Sequence, residues 1–274
     1  METPELIALC RRALEVARTA VTSLGDRGTA EVHGEQVVDI STRGDLAVSE
    51  ALTRFFAASA PPAVLYSEES GRLELGRDPQ LTIAFDDIDG TDNYHRGREL
   101  LPHCTVVTLF DSPTPRFGDA LAAAVLEHRT GTTWEAVRGG GCRINDRIAQ
   151  PTLRTELDRR TLVIVDHYVT GRELPRLTPL YPEVWVKDYG SAALHLAGIS
   201  SGLFDAYLAA GQKAHELGAG CLLIEEAGGR LTDWNGASLA EVPYDFGGRY
   251  PVVAAGNAGL HRALLERLSV LTAR

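Results

Sequence analysis

The chain has 274 residues, 44% of them hydrophobic, enough to bury a substantial core as one large domain or two subdomains. Its formal net charge of −10, spread along the chain, argues against a nucleic acid polymer or an anionic membrane as the main partner. The opening METPELIALC has no basic segment followed by an apolar one and no run approaches the length of a membrane span, so a cytoplasmic location is expected.

Thr3 as N-cap and Pro4 at the first helical position open a helix whose apolar face reads Leu6, Ile7, Cys10, Leu14, Ala17, Val21 and Leu24. Residues 26–41 read as a loop or short hairpin. Thr42-Arg43-Gly44-Asp45 then resembles a capping box before Leu46, Val48, Leu52, Phe55 and Phe56, predicting a second helix to about Ala58. Segments 63–66 and 81–85 read as buried strands, the first running into Ser67-Glu68-Glu69-Ser70 and the second into Asp86. Further strands are predicted over 104–110, 119–127 and 132–137, the last two joined by a hairpin at 128–131. After about residue 150 the pattern becomes α/β: a strand over 162–165, a helix over 191–199, a strand over 203–208, and a helix over 215–226 closed by Gly228-Gly229. This divides the chain into an N-terminal α+β part, 1–150, and a C-terminal α/β part, 151–274. Cys10, Cys104, Cys142 and Cys221 are far apart with no C-x-x-C pair, so they suggest neither a zinc site nor a redox motif and read as buried, reduced thiols.

The stretch FDDIDGTDNYHRG, from Phe85 to Gly97, concentrates four aspartates. Like charges so close together cost stability unless a cation or hydrogen bonds neutralise them. Carboxylates at the ends of neighbouring strands, Glu68 with Asp86 and Asp89, suit hard, oxygen-seeking Mg²⁺ ions, although loop carboxylates that cap helices look the same in sequence. A calcium loop fails on spacing, since placing Gly90 at the turn position puts Phe85 and Arg96 at the ligand ends. A rival reading takes Asp87-Ile88-Asp89-Gly90-Thr91 as the D-x-D-x-T nucleophile motif of haloacid dehalogenase-like phosphatases, with Asp87 phosphorylated.

Taken together, Tyr66-Ser67-Glu68-Glu69-Ser70, Asp86-Asp87-Ile88-Asp89-Gly90-Thr91, and Gly218-Ala219-Gly220 running to Glu226-Ala227-Gly228-Gly229 resemble the inositol monophosphatase family. That family belongs to the lithium-sensitive, Mg²⁺-dependent phosphatases that include fructose-1,6-bisphosphatases and nucleotide 3'-phosphatases. Thr42 to Asp45, Gly190-Ser191-Ala192-Ala193 and Gly202-Leu203-Phe204-Asp205-Ala206-Tyr207 extend the match from about residue 5 to the C-terminus.

The resemblance implies a layered αβαβα sandwich, a homodimer and hydrolysis of a small phosphomonoester by a metal-activated water. It places one Mg²⁺ on Glu68, Asp86 and the Ile88 carbonyl, and a second on Asp86, Asp89 and Glu216, with room for a third near Glu68. Thr91 with Glu68 or Asp45 would orient the water, and Gly90, Thr91 and Ser191 lie in motifs that receive the phosphate. Asp45 is equally explained as the capping partner of Thr42. Lys187 and Lys213 are either cationic contacts to the substrate or solvated surface groups.

Three departures from the family pattern stand out. His215-Glu216 stands where the family has W-D, so His215 either reaches substrate or fills the tryptophan position. Asp87 replaces a proline, and Ala209 stands where inositol-selective members carry a glutamate, which leaves other substrates open: fructose 1,6-bisphosphate, histidinol phosphate or a nucleotide 3'-phosphate. A weakened relative that only binds sugar phosphates is the non-enzymatic alternative. Tyr94, His95 and Arg96 read as pocket-entrance or partner-docking residues, or as an ordinary helix face.

Overall fold

The computed structural model describes residues 3–32, 40–166 and 177–272. Helix α1 (Thr3–Leu24) buries Leu6, Leu9, Cys10, Ala13, Leu14, Ala17 and Val21, the stripe that 3.6-residue periodicity requires. A 3₁₀ turn follows at Gly25–Thr29, and Glu31 bridges Thr42; residues 33–39 of the predicted loop lie outside the described residues. Helix α2 (Arg43–Ser59) starts with the predicted capping box. Thr42 Oγ1 accepts from the Gly44 and Asp45 amides at 3.2 and 3.4 Å, and Asp45 Oδ2 accepts the Thr42 amide at 2.8 Å. Three otherwise unpaired backbone donors are satisfied. Thr42→Ala is therefore expected to cost about 1 kcal/mol, read as a lower denaturant midpoint at unchanged slope.

The larger sheet has eight strands: β1 (Ala63–Ser67), β2 (Gly71–Leu75), β3 (Leu81–Asp89), β4 (Cys104–Phe110), β5 (Ala120–Glu127), β6 (Thr133–Val137), β7 (Gly141–Ile144) and β8 (Arg147–Ile148), in the order β2-β1-β3-β4-β5-β6-β7-β8. Only β1 and β3 are parallel, with Ser67 opposite Phe85. The second sheet is built from β9 (Leu162–Val165), β10 (Trp185–Lys187), β11 (Ala206–Lys213), β12 (Arg230–Thr232) and β13 (Arg249–Ala255), in the order β10-β9-β11-β13-β12. Helices α3 (Thr91–Gly97), α4 (Ala192–Ser200), α5 (Ala214–Glu226) and α6 (Ala258–Thr272) complete the chain.

Alternation along the strands sends side chains into two cores. Ile83 and Phe85 of β3 with Val107 and Leu109 of β4 meet α1 and α2 on one face. Ala84, Val106, Ala123 and Val125 meet α4 and α5 on the other. Tyr207, Ala209, Val252 and Ala254 close that middle layer from the second sheet, while Leu260, Leu264 and Leu268 of α6 cover its far side. Helices and sheets thus alternate in five layers, an α+β sandwich. Helix α4 is buried on every side, which explains its nearly uniform apolar sequence.

Several boundaries differ from the sequence reading. Strand β3 continues past Phe85 to Asp89, and its pairing with β4 is irregular between Asp86 and Asp89. Such an irregularity re-aims side chains locally. The strand predicted over 203–208 runs instead over Ala206–Lys213; Leu203 is exposed in the preceding turn, and pairing with β13 carries the strand to its polar end.

Candidate active site

The parallel pairing of β1 with β3 sets their C-terminal ends side by side, so Glu68 leaves β1 next to Asp86. Asp89 follows three residues later, and Glu216 enters from the first turn of α5, whose positive end favours a carboxylate. Two sets of donor atoms converge among the described residues: Glu68, Asp86 and His215, and Asp86, Asp89 and Glu216, each within 4.8 Å of one another. Asp86 belongs to both. The four carboxylates face a cleft of about 1010 Å³ that Ile88, Gly90, Thr91 and Lys213 also line.

Asp89 is held from behind. The Ala193 amide donates to its Oδ2 at 2.9 Å, the Ala192 amide approaches Oδ1 at 3.3 Å, and Ser191 Oγ donates to Oδ2 through a short hydrogen bond. The start of α4 therefore fixes this carboxylate and leaves its remaining lone pairs for a cation. Ser191 itself is buried and does not line the cleft. Thr91 Oγ1 donates to the Ile88 carbonyl at 2.8 Å and stands 3.4 Å from Asp45 Oδ1, so Asp45 closes the capping box with one oxygen and faces Thr91 with the other.

Gly90 has no substitute here. Its φ of +86° lies in the left-handed region, and a Cβ would meet the Gly190 carbonyl at 3.0 Å and the Pro102 carbonyl at 3.2 Å. Asn93 ties the same corner down, donating from Nδ2 to the carbonyls of Pro102 at 2.7 Å and Tyr189 at 2.6 Å. Nothing in the sequence pattern singled out Asn93, because its partners come from distant loops.

The electrostatics describe a site that needs a cation. Burial, then repulsion from Glu68, Asp89, Glu216 and Asp87, pushes Asp86 well above the usual carboxylate range. Burial likewise raises Glu216 to about 7 and Asp45 to about 7. Glu68 is the exception: its burial cost is outweighed by His215 and by Lys213, which hold it below the ordinary value. Lys213 Nζ donates to Glu68 Oε1 at 2.8 Å. Glu216 Oε2 is buried without a hydrogen-bond partner among the described residues. The all-oxygen set of Asp86, Asp89 and Glu216, with one buried carboxylate oxygen left unpaired, fits a hard divalent cation.

Not every expected residue reaches the cleft. Lys187 lies over the Trp185 ring at 5.1 Å and is not among the cleft-lining residues. His215 is buried behind the carboxylates, its Nε2 3.4 Å from Glu68 Oε2, and does not line the cleft either. Tyr94 is fully buried in the core under α2 rather than at an entrance, while His95 contacts the Thr29 carbonyl and Arg96 pairs with Asp92. Ala209 is also buried in the middle core, so position 209 offers no group to a substrate. Asp87 points away from the cleft: Ser67 Oγ and the Glu69 amide donate to its Oδ2 at 3.0 and 3.3 Å.

A family profile described as the inositol monophosphatase family matches residues 3–271. The chain belongs to the inositol monophosphatase family. It is accordingly a metal-dependent hydrolase of phosphoric monoesters. Among curated relatives it is 26% identical over 235 residues to the fructose-1,6-bisphosphatase/inositol-1-monophosphatase of Methanothermobacter thermautotrophicus, covering 83% of this chain and 82% of the relative. It is 31% identical over 204 residues to the Nus factor SuhB of Pasteurella multocida, covering 72% and 73%. Among solved structures, the extragenic suppressor protein suhB from Bartonella henselae superposes with a TM-score of 0.81 at 22% identity, covering 96% of this chain and 98% of that one. The inositol monophosphatase from Anabaena gives 0.77 at 22% identity over 97% and 95%.

Proposed function

We propose that the chain hydrolyses a small phosphorylated polyol or sugar with Mg²⁺ held by Glu68, Asp86 and the Ile88 carbonyl on one side and by Asp86, Asp89 and Glu216 on the other. The observation that carries this reading is Asp86, shared by two converging donor sets at the floor of a cleft. When bound, such ions lower the pKa of water, screen phosphate charge and favour the leaving alkoxide. The chain supplies the rest. Thr91 with Asp45 receives and holds a proton near the attacking water, and the Gly90 to Thr91 turn seats the phosphate. Lys213, lining the cleft beside Glu68, offers positive charge to an anionic substrate.

The division into 1–150 and 151–274 belongs to the same reading, supported by Ser191 and Glu216 of the second part completing a site begun on β3. A homodimer and a cytoplasmic setting are proposed from family membership. No helix among the described residues is long and apolar enough to cross a membrane.

The test is a phosphate-release screen with Mg²⁺ over inositol monophosphate, fructose 1,6-bisphosphate, histidinol phosphate and 3'-phosphoadenosine 5'-phosphate. Release from at least one, stimulated by Mg²⁺, is the expected result; binding of these compounds without release would favour a sugar-phosphate-binding relative instead. Asp87→Asn in the same screen separates the covalent mechanism. Since Asp87 is buried behind β3, the variant is expected to retain activity within about threefold, with no phosphate trapped on Asp87 in mass spectra of quenched wild type.

A further inference from the structure

His215 is a buried imidazole at the centre of an acidic cluster. Its Nε2 lies 3.4 Å from Glu68 Oε2, 3.6 Å from Asp86 Oδ2 and 3.4 Å from Glu216 Oε2. Only 4% of the residue is exposed, and neither ring nitrogen has a hydrogen-bond partner among the described residues. The separations are long for N–H···O hydrogen bonds, which cluster at about 2.7–3.2 Å. They are the spacing of ligands around one ion: two donors bound at about 2.1 Å stand about 3.4 Å apart at a tetrahedral angle.

The ring is also held in place. It packs at 5.0 Å between centroids on Phe246, which in turn stacks on Tyr66 at 5.3 Å. Tyr66 lies near the end of β1 and Glu68 directly follows that strand, so the aromatic wall and the carboxylate are set by one segment of chain. The ring is fixed with its Nε2 among three carboxylates and hydrogen-bonded to none of them, which offers a nitrogen donor to a cation held there.

We propose that His215 turns the position framed by Glu68 and Asp86 into a mixed nitrogen and oxygen site, which takes a first-row transition cation such as Zn²⁺, Co²⁺ or Mn²⁺ in preference to Mg²⁺. Neutral imidazole suits these borderline ions, whereas Mg²⁺ favours oxygen donors and retains its waters. The second position, on Asp86, Asp89 and Glu216, has only oxygen donors and keeps the hard-cation preference. The inference rests on the proposed metal-dependent function and revises it at one position, where a transition cation takes the place given to Mg²⁺ on Glu68 and Asp86.

The test reads binding and ligation rather than turnover. Full-length protein stripped of metal is titrated calorimetrically with Zn²⁺ and with Mg²⁺, and Mn²⁺-loaded protein is examined by electron spin-echo envelope modulation for coupling to a ¹⁴N ligand. Wild type is expected to bind Zn²⁺ at least a hundredfold more tightly than Mg²⁺ and to show nitrogen coupling. His215→Gln is expected to lose the coupling and at least tenfold in Zn²⁺ affinity, with less than a threefold change for Mg²⁺. His215→Phe, which keeps a ring beside Phe246, serves if the glutamine variant fails to fold. Absence of nitrogen coupling in wild type, or its persistence in a folded His215 variant, overturns the proposal. A Mg²⁺-stimulated phosphatase without nitrogen coupling would retain the proposed function and lose this inference; nitrogen coupling without phosphate release would do the reverse.

Discussion

Asp86→Asn is expected to lower Mg²⁺-stimulated phosphate release by more than about a hundredfold, the scale on which electrostatic catalytic groups act. No other carboxylate belongs to both donor sets, so this single change weakens both cation positions at once. The same substitution should leave the metal-free protein no less stable. In the absence of a cation, Asp86 is crowded by Glu68, Asp89, Glu216 and Asp87, and replacing a carboxyl by a neutral amide of similar shape removes that repulsion. Activity and metal-free stability should therefore move independently, as expected where a site holds like charges together for function. Thermal unfolding in EDTA beside a phosphate-release assay measures both. Retention of full turnover would show that the cation positions lie elsewhere, and a fall in metal-free Tm would show that Asp86 is structurally required.

Local patterns made much of this site legible in sequence. The capping box at Thr42 and Asp45 is a four-residue signal with one backbone solution, and the apolar runs before Glu68 and Asp86 predict strands whose ends carry the carboxylates. What escaped was set by tertiary context. Strand β2 alternates polar and apolar residues only from Arg72 to Leu75 and is almost wholly exposed, too short a signal to read as a strand, and β8 is only two residues long. Strand β13 opens on Arg249, Tyr250 and Pro251, and only its later residues are buried in the manner of a strand. The extension of β3 through Asp86, Asp87 and Asp89 puts three carboxylates where strand propensity is poor. Function overrides local preference there.

His215 illustrates the same limit more sharply. Its sequence neighbours say only that it begins a helix beside Glu216; two of the carboxylates it faces, Glu68 just past β1 and Asp86 on β3, lie well over a hundred residues earlier. A one-dimensional reading could compare it with a tryptophan but could not aim the ring. The rival nucleophile, Asp87, is decided the other way by the same alternation: adjacent residues of a strand point to opposite faces, so a cleft that receives Asp86 turns Asp87 toward Ser67.

Metal-free protein is expected to lose stability as pH rises from about 4 to about 7, and saturating Mg²⁺ is expected to abolish most of that loss. The sign follows from Asp45, raised from 3.8 to about 7 mainly by burial, and Glu216, raised from 4.5 to about 7 by the same cause. Between those limits the folded state binds more protons than the unfolded one, so each added pH unit favours unfolding. Bound cations replace the protons as the source of positive charge. At a Mg²⁺ concentration a hundredfold above its Kd, the linkage is worth about 2.7 kcal/mol, or about 5 to 11 °C in Tm for a chain of this size. The shift should be largest near pH 8 and shrink toward about pH 5, where protons compete for the same oxygens, and it should be strongly reduced in Asp86→Asn. Scanning calorimetry in EDTA and in Mg²⁺ across that range measures it. A metal-free Tm that climbs between about pH 4 and 7, or a Mg²⁺ shift of equal size at both ends, would mean that the buried carboxylates are not the groups the cation neutralises.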